Sequence, residues 1–292
     1  MTPAGSPLAG VAWMLGAALS FAVTYIFVRD LSHSYTVFQI VLMRYAFGLL
    51  FLMPWAVRTR PPLLPRSKLG FHLLRSALIY AAMFSSYYSV TVIALADSMA
   101  LQFTLPVFTS ILAVIFLREQ APIHRWIAIA AGFAGALLIL RPGFAALNLG
   151  MLVAVMAAAF YGASDINTRY LSRTFSTSAI VFYGYVIQSP FAIALAAPDW
   201  VTPPPADWPM IFAFAVAAFA SQWCLTHAYG LAEASLVSPV LFARLPFVAV
   251  MAWFFFGEAT DLWTWAGAAL IFAGTTWSAR TEARLMRAAA RA

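Results

Sequence analysis

Two arginines, Arg44 and Arg244, stand near the middle of long apolar runs. An unpaired guanidinium in lipid is expensive, about 2.5–3.5 kcal/mol even on the mildest insertion scale. Each must therefore find a backbone carbonyl, a carboxylate such as Asp165, or the carboxylate of a transported substrate. A second group, Phe219, Gln222, Trp223, Thr226 and His227, is spaced i, i+3, i+4, i+7 and i+8, which is one helical face. The run from Tyr80 to Thr91 offers Tyr80, Phe84, Ser86 and Tyr87, and a third run offers Tyr161, Ser164, Asp165 and Thr168. Aromatic walls with a few placed polar groups are what a small ligand needs. The same residue types also serve as contacts between helices. The candidate substrate-binding set is thus Tyr80, Phe84, Ser86, Tyr87, Tyr161, Asp165, Phe219, Gln222, Trp223 and His227, with Arg44 and Arg244 as gating or structural charges. Asp165 also lies four residues before Arg169, the spacing of an ordinary helical ion pair.

Other chemistry fits less well. Gly162-Ala163-Ser164-Asp165 with His227 supplies the residue types of an intramembrane serine dyad, which needs nucleophile and base in hydrogen-bond reach. No glycine follows the serine, and the span plan below is not that of such an enzyme, so no catalysis is expected. His33, His72, His124 and His227 are scattered without ligand spacing, so no metal is expected; no phosphate-binding loop is present and no cofactor is implied. A channel would need a ring of carbonyls or like charges, and neither is visible in one chain.

The elements that position these residues are set by composition. Of 292 residues, 63% are hydrophobic and 9% charged, and mean hydropathy is +0.86. Soluble domains carry roughly 25% charged residues, so the chain is a polytopic membrane protein. Apolar runs near 8–28, 37–56, 71–91, 95–117, 124–140, 148–168, 178–197, 208–229, 234–256 and 262–279 each approach the length of a spanning helix. The spacing predicts ten such helices and no separate soluble domain. The first run has no small-residue cleavage site and reads as a span, not a signal peptide.

Orientation follows from Lys and Arg. With the N-terminus inside, the inside segments hold Arg58, Arg60, Arg66, Lys68, Arg118, Arg125, Arg169, Arg173, Arg280, Arg284, Arg287 and Arg291, whereas the outside loops hold Arg29 and Arg141. Basic residues mark cytoplasmic loops, so both termini are expected in the cytoplasm. The net charge of +7 is then a matter of topology, and no nucleic-acid partner is implied.

The two halves repeat. At an offset of 140, Phe21 matches Tyr161, Arg29 matches Arg169 and Leu31 matches Leu171. At 136, Leu95-Ala96-Asp97 matches Leu231-Ala232-Glu233; at 139, Glu119, Trp126, Gly135 and Arg141 match Glu258, Trp265, Gly274 and Arg280. Five spans per repeat is odd, so the second repeat (residues 143–292, after the first at 1–142) must enter from the opposite side. Many secondary carriers are such inverted pairs.

Each half also carries a proline, a large apolar run and a glutamate: Pro106 to Glu119 and Pro246 to Glu258. A tryptophan and a glycine-bearing last span follow, Trp126 to Gly135 and Trp265 to Gly274. In these features the chain resembles the EamA-type drug/metabolite transporter superfamily, and most of all its bacterial amino-acid exporters. The resemblance implies a bacterial inner-membrane carrier, a monomer or weak homodimer. It would export small metabolites, aromatic or neutral amino acids first, through a cavity lined by the first four spans of each half. Asp97, Glu233, Glu119 and Glu258 would tie loops and helix ends. Gly132, Gly135, Gly267 and Gly274 would serve close packing.

Overall fold

The structure is a computed structural model, and it describes residues 7–59, 64–117, 123–140, 148–171, 174–175, 177–231 and 238–289. All regular elements among them are helical. This follows from the apolar sequence: a helix satisfies its own backbone hydrogen bonds, which a bilayer cannot do. The first half contains α1 (Pro7–Leu31), α2 (Val37–Thr59), α3 (Arg66–Val92), α4 (Leu95–Gln102), α5 (Leu105–Leu117) and α6 (Ile123–Leu140). The second contains α7 (Leu149–Leu171), α8 (Thr177–Ala196), α9 (Trp208–Leu231), a 3-10 turn (Ser238–Ala243), α10 (Arg244–Phe256) and α11 (Leu262–Ala289). Among the described residues, six stretches are long and apolar enough to cross a membrane: Leu8–Leu31, Val37–Thr59, Leu95–Phe116, Leu149–Thr168, Ala179–Ala196 and Pro205–Ala228; Trp126–Leu140 and Val240–Phe256 are shorter apolar helices. The helices α3 and α11 stand where the other two expected spans fall; His72, Arg75, serines and tyrosines inside α3, and tryptophans, threonines and glycines inside α11, make them less apolar.

Packing respects the repeat. Helix α1 runs along α9 as α3 runs along α7, and α2 meets α9 as α8 meets α3. Exchanging the halves turns each pair into the other, while α2 with α8 and α6 with α11 map onto themselves. The α6–α11 contact depends on glycine. A Cβ on Gly135 would lie 2.6 Å from the Gly267 carbonyl oxygen, and one on Gly267 would lie 2.5 Å from that of Gly135. Gly132 and Gly274 likewise receive Val107 and Ala131, so the sequence expectation of close packing at these four positions holds.

The expectation of continuous fourth and ninth spans needs correction. Residues 95–117 form two helices interrupted at Phe103 and Thr104, and the ninth run is a 3-10 turn followed by α10. The cause is proline, which has no N–H and clashes with the carbonyl four residues back. Pro106 acts on Gln102 and Pro246 on Phe242.

The two ends of the bundle are built differently. Arg58, Arg66 and Lys68 lie at one end, called here the basic end. At the opposite end Gly257 caps α10 with φ of 68°, a conformation that suits glycine. The turn carries Glu258 back to Arg29, whose Nη1 and Nη2 donate to Oε1 at 2.9 and 2.6 Å. Glu258 Oε2 also accepts from the Leu95 backbone N–H at 2.9 Å, and Arg29 donates to the Ile93 carbonyl at 2.8 Å. Gln39 exchanges two hydrogen bonds with the Val201 backbone, Tyr35 donates to Asp207, and Thr264 donates to Asp97. Burial, then the Asp207 bond, push the Tyr35 phenol up to about 12, so it remains a donor at physiological pH. Glu258 and Asp97 thus join helix ends, as expected; Glu119 and Glu233 lie outside the described residues.

Candidate substrate site

The two helix breaks meet. The rings of Phe103 and Phe242 are 4.3 Å apart, and the Arg244 guanidinium lies 4.7 Å from the Phe103 ring centroid. Interrupted helices at matching places in two repeats are where carriers expose backbone to a substrate. Arg244 opens α10, so its charge lies near the positive end of that helix dipole. Its contact with Phe103 is a cation–π contact, and its Nε is buried without a hydrogen-bond partner.

A polar chain starts from the first break. Gln102 Oε1 accepts from Ser86 Oγ at 3.0 Å, Ser86 pairs with the Tyr25 hydroxyl at 2.7 Å, and Ser98 pairs with Ser89 at 2.5 Å. Beside it, Arg44 Nη1 donates to the Tyr87 hydroxyl at 2.8 Å. Tyr87 in turn lies edge-on to Tyr25, with centroids 5.9 Å apart. Tyr45 and Tyr185 stand at 5.5 Å, and Tyr45 stacks on Tyr80 at 6.2 Å. Gly48 makes room for this group, because a Cβ there would lie 2.2 Å from Tyr185 Cε1. Tyr161 feels both arginines electrostatically, together with Tyr25 and Tyr87.

The result is a core with two guanidinium groups among hydroxyls and rings. Among the described residues the ion pair present is Arg29–Glu258, and neither Arg44 nor Arg244 has a carboxylate partner. The two fixed partners weighed from sequence, a carbonyl and Asp165, are not what Arg44 holds. Its bond is to a tyrosine, and its Nε remains buried and unpartnered. Such a site has spare donors for a carboxylate or carbonyl edge, and flat faces for a ring.

Ser86, Tyr87, Tyr161, Arg44 and Arg244 come together in this core, with Tyr80 at its margin. Others do not join them. Phe84 stacks on Phe38 at 4.5 Å. On α9, Phe219 and Trp223 stack at 5.9 Å, Trp223 and His227 at 4.7 Å, and His227 meets Trp13 at 5.1 Å. Trp223 is half exposed, and α9 instead sends fully buried Phe214 to Tyr87 at 6.3 Å. Gln222 is half-buried one position before it. His227 Nδ1 meets the Trp223 carbonyl at 3.0 Å, and no hydrogen bond to Ser164 accompanies it among the described residues. Asp165 is exposed and is felt by Arg75; the Arg169 side chain lies outside the described residues. A cleft of about 400 Å³ between α3, α5 and α7 is lined by Phe71, Leu74, Leu112, Phe116 and Asn167, with none of the expected site residues.

Sequence reasoning missed Tyr45, Tyr185 and Gln102 as site residues, while Tyr25 is the first-repeat counterpart of Asp165 on a polar-aromatic face. The signal was present in Pro106 and Pro246, which mark the breaks, and in Tyr45 next to Arg44.

Comparison with known proteins agrees with this architecture. The model of the EamA-like transporter family matches twice, at residues 8–141 and 148–280. A riboflavin transporter of Vibrio cholerae is 31% identical over 96% of each chain. An S-adenosylmethionine uptake transporter of Rickettsia bellii is 27% identical over 95% of each chain. A pseudopaline exporter of Pseudomonas aeruginosa is 27% identical, covering 94% of this chain and 96% of its own. One crystal structure aligns with a TM-score of 0.64 at 15% identity, covering 96% of this chain and 99% of that chain, a likeness of fold alone. With a doubled family match over nearly its whole length, the chain belongs to the EamA-like transporter family and is a metabolite transporter.

Proposed function

We propose that this chain is a ten-span, inverted-repeat carrier of the bacterial inner membrane, with its basic end and both termini in the cytoplasm. The repeat units are 1–142 and 143–292. It moves a small planar metabolite with an acceptor-rich edge by alternating access, riboflavin being the first candidate. The observation that carries this reading is the Arg44–Tyr87 pair beside Arg244, without a carboxylate partner among the described residues. An isoalloxazine ring offers carbonyl and ring-nitrogen acceptors on one edge and a flat face for Tyr25, Tyr87 and Tyr161. The name of the 31% identical relative points the same way.

Aromatic amino acids, exported in the sequence expectation, are the second reading. Their carboxylate suits a guanidinium fork. Their ammonium group would need an acidic partner, and Asp165 lies exposed toward Arg75 instead. A sulfonium cation such as S-adenosylmethionine is disfavoured beside two guanidinium groups.

The test is counterflow in proteoliposomes with labelled riboflavin, tryptophan and S-adenosylmethionine run in parallel. The expected order is riboflavin, then tryptophan, then S-adenosylmethionine. Saturable exchange of tryptophan without riboflavin would replace the first reading by the second; exchange of neither would overturn both.

A further inference from the structure

A separate set of buried polar groups lies between α3, α7 and α8, within three turns of the basic end. Arg75 donates from Nε to Thr168 Oγ1 at 2.8 Å and from Nη1 to the Ile180 carbonyl at 3.4 Å. Among the described residues no ion pair of Arg75 is seen, and the acid that it feels is the exposed Asp165. Around it stand His72, Ser76, Asn167, Tyr183 and Gln188, each more than nine-tenths buried. Both ring nitrogens of His72, Ser76 Oγ, Asn167 Oδ1, Tyr183 Oη and Gln188 Oε1 lack hydrogen-bond partners. Buried polar atoms are nearly always paired. Six orphans in one seam therefore mark capacity kept for something that comes and goes.

Two observations connect this seam to the core. Tyr45 feels both Arg44 and Arg75 electrostatically. The repeat supplies the second. At the offset of 140, Gly184 of α8 takes the place of Arg44 in α2, and a Cβ on Gly184 would lie 2.9 Å from Arg75 Nη1. At the offset of 136, Arg75 of α3 corresponds to Ile211 of α9. Arg44 bonds Tyr87 of α3, and Arg75 reaches from α3 to the point of α8 that is the repeat counterpart of Arg44. A guanidinium thus stands at Arg44 in the first repeat and against its counterpart Gly184 in the second, although both arginines lie in the first repeat.

We propose that Arg75 and the open polar groups around it form a second station for the acceptor edge of the same substrate, on the basic side of the Arg44 core. The proposal rests on the carrier reading above. A substrate released by Arg44 is met by Arg75, with His72, Ser76, Tyr183 and Gln188 replacing lost hydration. Among the described residues, the acid acting on Arg75 is Asp165, at the exposed edge.

The test measures riboflavin entry from each face of proteoliposomes of known orientation, for wild type, Arg75→Gln and Arg44→Gln. Thr168→Val, which frees Arg75 Nε and keeps the charge, guards against a misfolded Arg75→Gln. For Arg75→Gln, KM should rise at least tenfold at the basic face and stay within twofold at the other. Thr168→Val should shift the basic-face KM alone, by two- to fivefold. Arg44→Gln should raise KM at both faces. Arg75→Gln or Thr168→Val with unchanged KM at both faces, or with equal rises at both, would overturn the second station. An unchanged Arg44→Gln beside a one-sided Arg75→Gln effect would overturn the core assignment and keep the station. A wild-type chain that moves no riboflavin overturns both.

Discussion

The two ends of the bundle handle their polar groups in opposite ways. At the end opposite the basic one, Arg29, Glu258, Gln39, Tyr35, Asp97 and Thr264 all have partners from distant parts of the chain, with Arg29 Nε as an orphan there. Toward the basic end, His72, Ser76, Asn167, Tyr183 and Gln188 keep orphaned atoms. A hydrogen bond contributes about 0.5–1.5 kcal/mol net, and an orphan costs about 1–3 kcal/mol. The first end is therefore locked in this conformation, and the second retains unused bonding capacity. Alternating access needs such an asymmetry, since one seam must hold while the other exchanges partners with water or substrate.

The largest effect that would sharpen this comparison is at the core between the two ends. Arg44→Gln removes a charge-assisted donor worth about 1.5–3 kcal/mol, so transport should fall roughly ten- to more than a hundredfold. Arg44→Lys should not restore it, because an ammonium lacks the planar fork. Measured exchange rates check both. Next is the locked end. Glu258→Gln breaks the Arg29 ion pair and weakens the Leu95 tie, and should raise labelling of a cysteine placed at Ile93 by about tenfold, a shift of some 1.4 kcal/mol. Unchanged labelling would mean that the clamp does not hold that end closed.

Packing around the core gives a smaller effect. Gly48→Ala drives a methyl group into Tyr185 and should cost about 1–3 kcal/mol of stability. Gly70→Ala, with nothing within 4 Å of the new Cβ, should change the melting temperature little. The smallest effect is expected on the outer face of α9, where Trp223→Ala should leave transport within twofold while Tyr87→Ala abolishes most of it. Equal losses in the two variants would return the α9 aromatic ladder to the substrate path.

How much of this was legible in the sequence depends on the physics that each residue obeys. Hydropathy sufficed for most of the helices, because backbone satisfaction in lipid leaves few alternatives, and the offsets near 140 anticipated the two repeats that the family model matches. Arg44 and Arg244 stood out because charge in an apolar run is costly. Spacing alone does not assign the α9 face, for a related reason: it finds a stripe, but aromatic residues suit a lipid-facing stripe as well as a cavity. Phe219, Trp223 and His227 share a face that meets Trp13 and Phe51, whereas the buried face carries Phe214, Ala218 and Ser221. Tyr25 and Gln102 reach Ser86 from sequence separations of 61 and 16 residues, and no local pattern encodes such a meeting. Pro106 and Pro246 did encode the breaks, through the N–H that each lacks.

Equilibrium binding of riboflavin, followed by its own fluorescence with the purified chain in lipid nanodiscs, probes the paired-arginine core most directly. Wild type should quench the flavin saturably, and Arg44→Gln should weaken binding at least tenfold with its helical content unchanged. Equal affinity in the two proteins would contradict the assignment of Arg44 to the substrate.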